Sequence, residues 1–211
     1  NPNNPTGRYL PQADFERILD ASEDSLVILD EAYISFVDNA WSSLALALHS
    51  SMRAKRSNLL VLRSMTKAYA IPGLRLGYGV ARKEIIANLR RICPPWNVNA
   101  LAQKAGVITI NNEDYLKRHQ IELSEAKSYL IQELSHLGLQ PLPSEVNFFL
   151  VEVGSARRFR QELLKQKILV RDCTSLGLPQ YIRIAPRTLP ECQRLVAAIQ
   201  KVLQYQYKEQ K

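Results

Sequence analysis

Short apolar runs alternate with amphipathic stretches along the first half of the chain. In "PQADFERILDAS" (11–22), Phe15, Ile18 and Leu19 share one helical face, and a proline near the start suits a first helical turn. The β-branched run "SLVILDEAY" (25–33) ends abruptly in two acids, and "NLLVLRSMTK" (58–67) repeats the shape, an apolar strand that stops at a polar turn. Near-continuous apolar strands joined through helices predict a parallel sheet buried on both faces. "LRLGYGV" (Leu74 to Val80) reads as a further strand, its glycines permitting close approach of a neighbour. "KEIIANLRRI" (83–92) reads as a helix, and "PPW" (94–96) breaks the chain. From Asn97 to Leu137 the pattern is helical, interrupted at Asn111–Asn112, where "NED" resembles the cap of a long second helix.

After Gly138 the character changes. "VNFFLVEV" (146–153), "ILVR" (168–171) and "YIRIAP" (181–186) read as strands, separated by the helix "ARRFRQELLKQ" and closed by the helix "PECQRLVAAIQKVLQ". The expected organisation is therefore an α/β part over residues 1–112 and a small α+β unit over 113–211, with the long helix bridging them.

Composition narrows the classes. A chain of 211 residues with 46% hydrophobic and 23% charged residues has the balance of an ordinary globular protein. No apolar run approaches the ~20 residues that span a bilayer, so no membrane association is expected. Cys93, Cys173 and Cys192 are widely spaced, which fits a reducing cytoplasm better than a disulfide framework. His49, His119 and His136 show no metal-ligand spacing with one another or with the cysteines, and no metal site is expected. The net charge of +8 is scattered along helical patterns such as "RRFR" (Arg157 to Arg160), which favours solvated faces and a few anion-binding arginines over a nucleic-acid groove.

The chemistry collects at strand ends, where α/β sheets hold their ligands. Asp30 and Lys67 each follow an apolar strand. A carboxylate there needs a cationic or donor partner, and a lysine near a reactive carbonyl is a candidate for Schiff-base chemistry. Arg75, beyond the "IPG" turn, offers a fork suited to phosphate, and Ser64 adds a hydroxyl at the same strand end. Taken singly, Asp30 also fits a helix N-cap, Lys67 a surface charge and Arg75 half of an ion pair.

Together, "NPNNPTG", "DEAY" and "SMTKAYAIPGLRLGY", in that order, resemble the fold-type I pyridoxal-phosphate enzymes of the class I/II aminotransferase family. The resemblance implies the cofactor pyridoxal 5'-phosphate, bound by the C-terminal part of a mostly parallel, three-layer α/β/α large domain that is followed by a small α+β domain. It implies that Lys67 carries the cofactor and shuttles the proton at the substrate Cα, while Asp30 pairs with the pyridine N–H. Tyr33 and Asn4 would hydrogen-bond the ring 3' oxygen, and Ser64, Arg75 and Thr66 would hold the phosphate. On "YIRIAPR", Arg183 would grip the substrate carboxylate and Arg187 would add a second cation, with Asn147 either structural or a substrate contact. Arg171 is a further anion candidate, or a solvated strand end.

Within the family, "WNVNALAQKAG", "VRDCTSLGL" and "YIRIAPRT" are most similar to threonine-phosphate decarboxylases of cobalamin biosynthesis, which are themselves similar to histidinol-phosphate aminotransferases. The implied reaction is decarboxylation of L-threonine O-3-phosphate to (R)-1-amino-2-propanol O-2-phosphate. The alternatives are amino transfer from a histidinol-phosphate-type substrate to 2-oxoglutarate, and, in another class, an aminotransferase-like sensor domain of a transcription regulator. The expected partners are a small phosphorylated amino acid or amine and a second copy of the chain in a homodimer. The resemblance covers all 211 residues but only the C-terminal part of the family's chain, so an upstream segment is expected to supply the rest of the phosphate cup and a ring-stacking aromatic.

Overall fold

A computed structural model describes residues 1–48 and 58–209. His49 lies outside the described residues. The chain divides into two compact units, one of Asn1–Pro2 with Tyr9–Leu116, the other of Asn3–Arg8 with Lys117–Lys211.

The first unit is built on a three-stranded sheet in the order β1 (Val27–Glu31), β2 (Leu59–Ser64), β3 (Gly77–Ala81). β1 and β2 run parallel, with Asp30 opposite Leu62 and Glu31 opposite Arg63. Leu29, Leu59 and Val61 point to one face, where Phe15 and Leu19 of α1 (Gln12–Asp20) and Ala47 of α2 (Ser43–Leu48) close a core. Trp41 stacks on Phe15 at 5.4 Å between ring centroids and donates its indole N–H to Leu10 O at 3.0 Å, which satisfies the polar tip of a half-buried ring. Side chains alternate across a strand, so Ile28 and Asp30 stand on the opposite face, where Ile28 and Leu62 remain exposed.

β3 departs from the expected strand in two ways. It begins at Gly77 rather than Leu74, because Pro72–Leu74 forms a 3-10 turn and Arg75 takes a left-handed backbone, φ 53°. It also pairs antiparallel to β2, because the four-residue α3 (Met65–Ala68) and this turn reverse the chain instead of carrying it back across the sheet. The sheet is thus mixed, within the α/β class.

α4 (Lys83–Ile92) and α5 (Ala100–Ile110) follow, the latter capped by Asn99, whose Oδ1 accepts from Ala102 N at 2.9 Å. α6 (Glu113–His136) starts after the Asn111–Asn112 interruption, and the division between the units falls inside it. In the second unit, β4 (Phe149–Glu152), β6 (Tyr181–Ile184) and β5 (Arg171–Asp172) form an antiparallel sheet in that order. Leu130 and Leu134 of α6, Phe159 and Leu163 of α7 (Ala156–Lys165), and Ile199 and Val202 of α8 (Leu189–Glu209) pack with Phe149, Val151, Ile182 and Ile184 into one core.

Two strands here are shorter than their apolar runs. Ile168 N turns back to Leu163 O at 3.0 Å, with Lys167 at φ 60°, so "ILV" closes the C-terminus of α7 and leaves only Arg171–Asp172 to pair. Val146 to Phe148 form a loop tied by Lys127, whose Nζ donates to Ser144 O at 2.6 Å and Val146 O at 2.7 Å.

The opening "NPNNPTG" is an ordered turn. Gly7 N donates to Asn3 O at 2.8 Å, Thr6 Oγ1 donates to Asn3 Oδ1 at 2.8 Å, and Glu145 N donates to Gly7 O at 2.9 Å. Gly7 sits at φ +69°, and a Cβ there would overlap the Ser144 side chain. Gly7→Ala therefore combines a left-handed backbone with a clash against a hydrogen-bonded loop. It should cost on the order of 1–3 kcal/mol of stability, read as a lowered midpoint in urea denaturation; an unchanged midpoint would show that the turn relaxes freely.

Candidate active site

The parallel register of β1 and β2 brings the polar ends of both strands to one end of the sheet. Asp30 is exposed there and is oriented by Ala32 N, which donates to its Oδ1 at 2.9 Å. Tyr33 lies three residues on, before a 3-10 turn at Ile34–Phe36. Lys67 emerges from α3 with its Nζ 5.9 Å from the Tyr33 ring centroid, at the outer edge of cation–π range. Ser64 caps α3: its Oγ accepts from Thr66 N at 3.3 Å and lies 2.8 Å from Thr66 Oγ1. Thr66 is buried, while Lys67 and Arg75 are exposed. Arg75 donates through its guanidinium to Pro72 O at 2.8 Å, which anchors one side of the fork on the turn that produced it.

Behind Asp30 stands an acid that the strand-end pattern does not single out. Glu31 is 1% exposed, and its Oε2 accepts from Arg63 Nε at 2.6 Å and from Ser43 Oγ at 2.7 Å. Glu31 Oε1 has no hydrogen-bond partner among the described residues. Consecutive strand residues face opposite ways, so the two acids of "DEAY" divide their work. Glu31 ties β1 to β2 from the core side, and Asp30 presents its carboxylate on the other. The signal lay in that adjacency, but Glu31's partner could be identified only from the register.

The remaining candidates belong to the second unit. Arg183 on β6 donates to Asn4 Oδ1, and its guanidinium carbon sits 4.9 Å from the Phe148 ring centroid, so the amide and the aromatic face together orient it. Arg187 is separately engaged, donating to Glu191 Oε1 at 2.8 Å across one turn at the start of α8. Asn147 Oδ1 is buried with no partner among the described residues. Arg171 donates to Ser175 Oγ at 3.0 Å. Burial pushes the Cys173 and Cys192 thiols up, which keeps them protonated and unsuited to nucleophilic work. Among the described residues no group of His, Cys, Asp and Glu could hold a metal ion, and no helix is long and apolar enough to cross a membrane.

The structure thus brings together Lys67 with Tyr33, Ser64 with Thr66, and Asn4 with Arg183. Arg187 pairs instead with Glu191, and Asn147 Oδ1 has no hydrogen-bond partner among the described residues. Comparison with known proteins gives the arrangement a family. The profile of "Aminotransferase class I and II" matches residues 1–199. The histidinol-phosphate aminotransferase of Desulfotalea psychrophila is 34% identical over 206 residues, covering 96% of this chain and 54% of the relative. Among solved structures, the L-threonine-O-3-phosphate decarboxylase of Porphyromonas gingivalis superposes with a TM-score of 0.83 at 30% identity, covering 97% of this chain and 63% of that one. The histidinol-phosphate aminotransferase of Sinorhizobium meliloti, in complex with pyridoxal-5'-phosphate, gives a TM-score of 0.87 at 26% identity, covering 97% and 56%. The chain spans about half the length of the curated relatives it matches. With its strand-end carboxylate and lysine in the family's order, the chain belongs to the class I and II aminotransferases.

Proposed function

We propose that this chain forms part of a pyridoxal-phosphate enzyme that transfers the amino group of a phosphorylated amino compound of the histidinol-phosphate type to 2-oxoglutarate. The observation that carries the reading is that Asp30 at the end of β1 and Lys67 just beyond the parallel β2 stand at one end of the sheet, with Lys67 Nζ 5.9 Å from the Tyr33 ring centroid. The donor set fits the cofactor. An exposed carboxylate suits a protonated ring nitrogen, a phenol suits the ring oxygen, and two hydroxyls with a guanidinium suit a phosphate.

On this reading Asp30 holds the ring nitrogen protonated, Tyr33 and Asn4 bind the 3' oxygen, and Ser64, Thr66 and Arg75 hold the phosphate. The bound cofactor supplies an electron sink for charge developing at the substrate α-carbon. Lys67 holds the cofactor covalently and moves the proton at that carbon. Arg183, its plane set by Asn4 and Phe148, grips the substrate's anionic group and so fixes which α-carbon bond is presented for cleavage. With Arg187 committed to Glu191, we assign that task to Arg183 alone.

The sequence stretches placed decarboxylation first. The curated relatives at 34–37% identity favour transamination, and we order the two accordingly. The second reading, decarboxylation of threonine phosphate, is supported by the structural likeness to the P. gingivalis enzyme. On the same reading the protein is a cytoplasmic homodimer, and the exposed Leu101, Val107, Ile108 and Ile110 of α5 offer apolar surface for a second copy.

The test incubates the full-length protein and pyridoxal phosphate with histidinol phosphate or with threonine phosphate, each with and without 2-oxoglutarate. Glutamate formed from histidinol phosphate only when the oxo acid is present is the expected result. Release of CO2 from threonine phosphate without an acceptor would establish the second reading instead. Binding of the cofactor with neither turnover would point to the sensor-domain alternative.

A further inference from the structure

Arg183 is oriented by two neighbours, Asn4 and Phe148, and one short loop of the second unit, residues 144–148, holds both. At one end of the loop, Glu145 N donates to Gly7 O at 2.9 Å, which fastens the turn that carries Asn4. At the other end Phe148 leads into β4, two residues before Leu150, the register partner of Arg183. Its ring therefore lies on the diagonal from Arg183, with the guanidinium carbon 4.9 Å from the ring centroid. A change in the path of this loop moves the amide and the aromatic face together.

A cation from α6 fixes that path. Lys127 Nζ donates to Ser144 O at 2.6 Å and to Val146 O at 2.7 Å, so one ammonium gathers two carbonyls of the loop. Hydrogen bonds from a charged donor are shorter and about twice as strong as neutral ones, and Lys127 is half-buried while Val146 is 2% exposed. Ser144 Oγ completes the loop, donating to Phe148 O and accepting from Val146 N at 3.3 Å. The lysine stands on a rigid support. Leu130 and Leu134, three and seven residues on along the same helix, are fully buried in the core of the unit.

We propose that Lys127 is a positioning residue for Arg183. Through residues 144–148 it sets the aromatic face and the amide that aim the guanidinium at the substrate's anionic group. The inference rests on the role given to Arg183 in the reaction proposed above. A lysine that only stabilised the fold would leave ligand affinity unchanged once the variant was folded.

Calorimetric titration of the full-length, cofactor-loaded protein with 2-oxoglutarate, which does not react without an amino donor, tests it. Lys127→Met keeps the aliphatic stem and removes the charged donor. Its Kd for 2-oxoglutarate should rise about tenfold or more, while the Kd for the cofactor and its visible absorbance stay within about twofold. Lys127→Arg, which can still donate to two carbonyls, should recover most of the affinity. Arg183→Gln should also weaken binding, and adding Lys127→Met to it should cost less than about twofold more, because residues acting as one unit are not additive. An unchanged Kd in Lys127→Met, or losses that multiply in the double variant, would overturn the proposal while leaving Arg183 in its role. Wild-type affinity in Arg183→Gln, or no binding to the wild type, would overturn the reading of the reaction and the proposal with it. Thermal melting establishes that each variant is folded; should Lys127→Met not be, Lys127→Gln is read by the same criteria.

Discussion

Replacing Lys67 with alanine abolishes the visible absorbance of the bound cofactor and reduces turnover by at least about a thousandfold. The position predicts this outcome without loss of fold. Lys67 is exposed on a four-residue helix and makes its aromatic contact at 5.9 Å, so truncation should change stability by no more than about 0.5 kcal/mol. The loss in rate follows from two tasks meeting in one amine, since general acid–base catalysis alone contributes on the order of 10²–10⁴ and covalent attachment is lost with it. Lys67→Arg separates charge from nucleophilicity, because the guanidinium keeps the cation over Tyr33 but does not form the covalent link. It should be as inactive as the alanine variant. Persistence of the cofactor absorbance in either variant would mean that another lysine carries the cofactor.

The second large effect is on stability. Arg63→Met should destabilise the first unit by about 3–5 kcal/mol, because it removes the cation from a carboxylate that stays buried. Glu31 is 1% exposed, and Ser43 Oγ alone would remain to it. The combined variant Glu31→Met/Arg63→Met removes both charges, and buried ion pairs replaced by apolar residues are often neutral or stabilising by ~1–4 kcal/mol. Most of the single-variant loss should therefore be recovered. Urea denaturation followed by tryptophan fluorescence reports it, since Trp41 packs on Phe15 in the same core and Trp96 is exposed. A double variant no more stable than the single one would show that shape, not the stranded charge, sets the cost. The pair's position also gives it a functional bearing, because it secures the register that sets Asp30 beside the end of β2.

Much of this architecture was legible residue by residue. The apolar runs ending at Asp30 and before Lys67 mark strand ends, since a buried strand stops where the chain must meet water. The Asn111–Asn112 break was legible for the same kind of reason, as the helical pattern lapses at two residues that favour caps and turns. Other features were hidden. "ILVR" reads as a strand, yet Ile168 is drawn back to cap α7, a bond that depends on where that helix ends. β3 has a strand's composition in either direction, and the reversing turn around Arg75 set its sense. Nothing local pairs Glu31 with Arg63, 32 positions away, or Asn4 with Arg183, 179 positions away.

The sequence by itself determined the periodicities, the strand ends and the chemical groups placed at them, because side-chain direction and turn preference are set within a few residues. Only the tertiary structure decided which of those groups meet: Lys67 over Tyr33, Glu31 locked behind Asp30, and Arg183 oriented by Asn4. Such meetings depend on strand register and helix docking, which are settled by the packing of the whole core rather than by any one stretch of chain.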